Sequence, residues 1–133
     1  MAWPKEELRR IAHADDMRIA PFREDGMTCG TPTWILSVEV DEAIYVRGYS
    51  GRRSLWYQAA VRQKAGRIHT GGRMFDVAFE PVDGPSDEPI NIRIDDAYRA
   101  KYSRSPYLNA MTGKRARAAT VKITPREMQN GIV

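Results

Sequence analysis

Cysteine is nearly absent from this sequence: Cys29 stands alone among 133 residues. One cysteine excludes an intrachain disulfide and any cysteine-based metal cluster within the chain. Histidine is almost as scarce, and His13 and His69 lie far apart without ligand spacing. No metal is expected. No apolar run reaches the roughly 20 residues that a membrane-spanning helix needs. The opening residues Trp3-Pro4-Lys5-Glu6-Glu7 place acids where a secretory signal would carry its apolar segment. The expectation is a cytoplasmic protein with no membrane partner.

Acids are also missing from one long stretch. Between Gly48 and Arg73 there are six Arg and Lys residues and no Asp or Glu, whereas residues 74–97 hold seven acids and a single base. The net charge of +4 and pI near 9.4 thus average over strongly unequal segments. A basic stretch without acids is either an anion-binding surface or a solvated face.

What is present reads as alternating strands with a few helices. Pro4 and the acids after it fit a helix start, and Leu8, Ile11 and Ala12 form its apolar stripe over residues 4–14. Arg18 to Arg23 reads as a strand ending at the Asp25-Gly26 turn. Trp34, Leu36, Val38 and Val40 then share one strand face. Ile44, Val46 and Gly48 follow on one face of the next strand, with Tyr45, Arg47 and Tyr49 on the other. Ser54 is placed to cap a helix from Leu55 that ends near Gly66. Two strands flank Gly71-Gly72, a helix covers 90–103 with Ile94, Ala97, Tyr98 and Tyr102 at helical spacing, and a strand covers 118–124. Residues 103–113 read as irregular. Six antiparallel strands with close turns make a mainly β chain with added helices (α+β), one domain over 1–133 with its barrel in 17–80, since a parallel sheet would need a helix at every crossover.

Four segments occur here in an order found in a known superfamily: Gly30-Thr31-Pro32-Thr33-Trp34, Ala43-Ile44-Tyr45-Val46-Arg47, the loop and helix from Ser50 to Ala60, and Gly71-Gly72-Arg73-Met74-Phe75-Asp76-Val77. In these the chain resembles the split β-barrel proteins that bind flavin mononucleotide (FMN) or a deazaflavin, including pyridoxamine-phosphate-oxidase-like proteins and deazaflavin-dependent nitroreductases. More narrowly, it resembles an uncharacterised bacterial family, domain of unknown function 2255, from Trp3 to Arg126. The resemblance implies an antiparallel six-stranded split β-barrel with flanking helices, a homodimer with a cofactor at its seam, and, if the protein is an enzyme, flavin- or deazaflavin-dependent oxidoreductase chemistry.

In such barrels the loop after the third strand contacts the cofactor's phosphate, and Ser50, Gly51, Arg52, Arg53 and Ser54 occupy that place. They offer cations, hydroxyls and backbone amides at a helix start, which is what a phosphate needs. Trp56-Tyr57 matches a Trp-Tyr pair of the deazaflavin-dependent relatives. Trp34 and Trp56 would either wall a flavin ring or fill the core, with core the expectation for Trp34. Arg47 and Tyr49 would either reach into a groove or be solvated. The Gly-Gly-Lys-Asn-Pro segment of the nitroreductase-like proteins is cut here to Ser50-Gly51-Arg52-Arg53-Ser54, which suits the alternative of a non-catalytic binding or structural barrel without a cofactor. Nucleic acid is not the expected partner, because only Tyr45 and Tyr49 interleave with a basic residue. Cys29 has no base beside it, and the pairs Asp15-Asp16 and Asp95-Asp96 read as surface acids.

Overall fold

Residues 2–126 are described by a computed structural model. Helix α1 (Lys5–His13) follows Pro4 and turns Ile11 fully inward. Strand β1 (Arg18–Pro21) and the short β2 (Thr33–Trp34) form an antiparallel pair across the Asp25-Gly26 turn. That turn is held by the Asp25 carboxylate, which accepts from the Met27 and Thr28 amides at 2.9 Å each and from the Thr28 hydroxyl at 2.7 Å. Strands β3 (Ser37–Val40) and β4 (Ala43–Arg47) join at Asp41 and Glu42, whose φ values of 52° and 66° make the tight turn.

Helix α2 (Leu55–Gln63) leads to the hairpin β5 (Ala65–Thr70) and β6 (Arg73–Pro81). Helix α3 (Glu88–Lys101), two single-turn helices α4 (Leu108–Met111) and α5 (Lys114–Arg117), and strand β7 (Thr120–Pro125) complete the described chain. Helix α2 stops earlier than expected, at Lys64 in the left-handed conformation (φ 61°), not at Gly66. Gly66 sits in β5 because the chain passes so close to β1: a Cβ there would lie 2.5 Å from Pro21 Cα and 2.6 Å from Ala20 O.

The sheet has seven antiparallel strands in the order β2-β1-β5-β6-β7-β4-β3. The count exceeds six because the stretch read as one strand from Trp34 to Val40 breaks at Ile35-Leu36. That break fixes the shape. Its flanking strands β2 and β3 lie on opposite edges of the hydrogen-bonded order, yet only two residues separate them. Trp34 and Ser37 can be at most about 11 Å apart along three Cα steps, so the sheet curls until its edges approach, as a half-barrel.

Two apolar layers follow from the strand alternation. Inside the curl, Ile19, Ile44, Val46, Ile68, Val77, Val121 and Ile123 pack with Trp3 and Ile11. Outside, Leu36, Val38, Val40 and Tyr45 pack under Ile94, Tyr98 and Tyr102 of α3. Strand β4 lies between the layers, so all five of its residues are buried. No helix among the described residues is long and apolar enough to cross a membrane.

Candidate functional site

The end of β4 opens onto a solvent-accessible cavity of about 470 Å3. Its walls come from the β2–β3 break, the loop after β4, the first turn of α2, and α4 with the residue before it. Aromatic rings form the rim: Trp34 is 52% exposed, Tyr49 55% and Tyr107 44%. The Tyr107 ring meets Trp34 edge-on at 6.3 Å between centroids and Tyr49 edge-on at 5.6 Å. Leu55 adds an exposed aliphatic side chain, while Ile35, Leu36 and Met111 form the apolar floor.

Trp34 therefore departs from the core expectation. Strand β2 ends at Trp34, and the break buries Ile35 in the inner layer and Leu36 in the outer one, which leaves the indole exposed on the sheet edge. Trp56 is half-buried; it packs against the inner core and also lines the cavity.

Arg47 reaches the cavity floor with every donor engaged. Its Nε donates to Thr120 Oγ1 at 3.0 Å; Nη1 donates to Asp95 and to Met111 O at 3.0 Å; Nη2 donates to Asn91 O at 3.1 Å and Asn91 Oδ1 at 2.9 Å. These five bonds exhaust a guanidinium's donor capacity. Burial lowers the Arg47 pKa, and the Asp95 hydrogen bond and charge oppose that shift. The acids at 95 and 96 separate accordingly: Asp96 is an exposed surface acid paired with Arg99, whereas Asp95 is buried, contrary to the surface reading.

The loop after β4 is a 3₁₀ turn over Gly51–Arg53. Gly51 has φ +67°, and a Cβ on it would come within 2.4 Å of Arg115 Cγ, so α5 seats the loop from behind. Arg52 leans away from the cavity, donating to Ala118 O at 3.0 Å and pairing with Asp83 at 2.8 Å. Ser54 holds the N-cap position of α2, yet its side chain makes no capping hydrogen bond. The first backbone bond of the helix is Gln58 N to Ser54 O at 3.1 Å. The Leu55, Trp56 and Tyr57 amides thus have no partner among the described residues, as at any uncapped helix start.

Of the ten residues singled out in the sequence, Trp34, Arg47, Tyr49, Ser50, Ser54 and Trp56 line this one cavity, and Gly51, Arg52, Arg53 and Tyr57 do not. Residues 7–123 match a family described as an uncharacterized protein conserved in bacteria, DUF2255. The chain belongs to that family. No curated protein matches it. The span that matches DUF2255 contains every residue of the cavity lining.

Tyr107, Met111 and Leu55 are among the lining residues of this DUF2255 chain that were not legible as site residues. Tyr107 and Met111 lie in a stretch that read as irregular and holds α4. Leu55 read as an ordinary first-turn residue. The available signal was Pro106-Tyr107, an aromatic after a proline with no apolar periodicity to bury it. Cys29 is half-buried, and burial raises its thiol pKa, which disfavours the thiolate.

Proposed function

We propose that the protein binds a planar aromatic ligand carrying an anionic group, of the flavin or deazaflavin type, in the cavity rimmed by Trp34, Tyr49 and Tyr107. The observation that carries this reading is one juxtaposition: exposed rings surround an apolar floor at the uncapped start of α2. Exposed aromatic clusters cost hydration unless something stacks on them. A cavity of this size falls in the range of small-molecule and cofactor sites. The free first-turn amides and the helix dipole, with Ser50 and Ser54 beside them, favour a phosphate or similar anion.

The fit is uneven in an instructive way. The ring has walls, but Arg47 has no free donor and Arg52 is turned to Asp83, so the anion would be held by amides and hydroxyls instead of guanidinium groups. With a flavin bound, the cofactor would supply hydride chemistry and the chain would orient the ring and exclude water. The curled antiparallel sheet suits the split-barrel resemblance, which also implies a homodimer with the cofactor at its seam. The engaged arginines favour a second reading, a non-catalytic barrel of the same shape that binds no flavin phosphate.

Titration of the purified protein with FMN, riboflavin and a deazaflavin, followed by flavin fluorescence, separates the two. Saturable binding with FMN about fivefold tighter than riboflavin is expected, the size of a helix-dipole contribution. Absence of saturation with all three would refute the proposal and leave the second reading.

A further inference from the structure

Leu55 and Trp56 divide two cavities. Across them from the aromatic site lies a second hollow of about 410 Å3, which shares Thr33, Leu55 and Trp56 with the first. Its chemistry differs. Arg23, from the β1–β2 connection, and Arg62, from the last turn of α2, both line it, and neither side chain is engaged in an ion pair or hydrogen bond among the described residues. Glu24 is the one acid in the lining. Its neighbour Asp25 turns its carboxylate into the Met27-Thr28 turn. Phe22, in the wall, carries the Arg126 guanidinium over its ring at 5.6 Å. Among the described residues the first cavity holds no free cation, whereas the second presents two guanidinium groups in a hollow that also has aromatic lining.

We propose that this second cavity binds an anionic group, a carboxylate or a phosphate, next to the ring site. Guanidinium groups pair with such anions through parallel N–H donors. The anion has two sources: the tail of the molecule whose ring occupies the first cavity, or a separate small molecule. Only the first source rests on the ring-binding reading; the pocket's preference for anions stands without it.

The test uses the whole chain as purified. Amide NMR shifts are followed during titration with malonate and with inorganic phosphate, at ionic strength held constant with sodium chloride. Saturating shifts at Phe22, Thr31 and Ala59 are expected, and Arg23→Gln with Arg62→Gln should weaken binding about tenfold, the loss of one charge-assisted bond or more. Both arginines are exposed, so an unchanged thermal melt checks that the fold survives. Shifts scattered over the surface, or affinity unchanged in the double variant, would overturn the proposal whatever flavins do.

A second arm assigns the source. If the anion is a ligand's tail, the double variant weakens flavin adenine dinucleotide, with its long anionic tail, and leaves riboflavin unaffected. If it is a separate molecule, malonate and riboflavin bind together without competition, and the double variant affects malonate alone.

Discussion

Arg47 and Asp95 form an ion pair inside the protein, joining the last residue of β4 to the middle of α3. The Arg47 side chain is fully buried, and the second carboxylate oxygen of Asp95 faces Arg117 Nε of α5 at 3.3 Å. Asn91, one turn before Asp95, donates to Val82 O at 2.9 Å, and the Thr120 hydroxyl donates to Arg117 O at 2.7 Å. One guanidinium therefore ties β4, β7, α3 and α4 together. Because it also holds Met111 O, the same group fixes the α4 turn that follows Tyr107 on the cavity rim.

Removing one partner should be costly. Asp95→Asn keeps the shape but leaves Arg47 charged and short of its counter-ion, and breaking a buried pair this way costs about 3–5 kcal/mol. Arg47→Met strands Asn91 Oδ1 and Met111 O and leaves Asp95 with Arg117 alone, and should cost a similar amount. The double variant Arg47→Met/Asp95→Asn should cost less than the sum of its single changes. Urea denaturation of the four proteins checks this, and additive losses would mean that the pair acts as two independent groups.

Gly66→Ala should destabilise by about 1–3 kcal/mol, the range for overpacking. The atoms that meet the new methyl are backbone atoms of β1, at 2.5 and 2.6 Å, so the strands themselves must separate. Gly30→Ala is the control, since nothing lies within 4 Å of its Cβ position. Equal thermal shifts in both variants would contradict the close β1–β5 approach.

Most strands and the three longer helices were legible because each carries a period that physics imposes. Leu8 and Ile11 mark α1, and Ile44 and Val46 against Tyr45 mark β4. Helix α3 starts two residues earlier than its apolar pattern, because Pro89 is tolerated in a first turn. The break at Ile35-Leu36 was hidden: a chain that bends there still shows Trp34, Leu36, Val38 and Val40 at alternate positions. The site was legible in part for the same reason. Ser50, Ser54 and Trp56 stand out by type and local order, but Tyr107 reaches them only through the tertiary fold. Asp95 was misplaced because adjacency to Asp96 suggested a surface pair, while its spacing from Asn91 and Tyr98 put it on the buried stripe of α3.

Lys101 gives the structure a specific pH signature. Its Nζ donates to Ser37 O at 2.8 Å and sits 5.2 Å from the Tyr102 ring centre. Burial lowers its pKa from 10.5 to about 8, against a smaller upward pull from Asp15 and Asp16. Between pH 8 and 10.5 the unfolded chain therefore binds the proton that the folded protein releases, so this residue's contribution to stability rises with pH across that window. Below pH 8 the lysine is charged in both states and the burial penalty is present in full. The melting temperature of wild type minus that of Lys101→Met should increase from pH 7 to pH 10. A flat difference would mean that the ammonium is solvated.

Trp34 separates ligand binding from folding. As an exposed edge residue in edge-on contact with Tyr107, it should contribute no more than about 1.5 kcal/mol to stability, the upper range for an aromatic pair. A core tryptophan would instead cost about 3–5 kcal/mol on truncation to alanine. Trp34→Ala should therefore melt close to wild type while losing flavin affinity about tenfold, as stacking on an aromatic wall would require. Trp34→Phe supplies a check without ligand: Trp3 is buried and Trp56 half-buried, so removing the most exposed indole should shift the remaining fluorescence to the blue. A red shift, or a large loss of stability in Trp34→Ala, would place the indole inside the core and remove the rim on which the binding site depends.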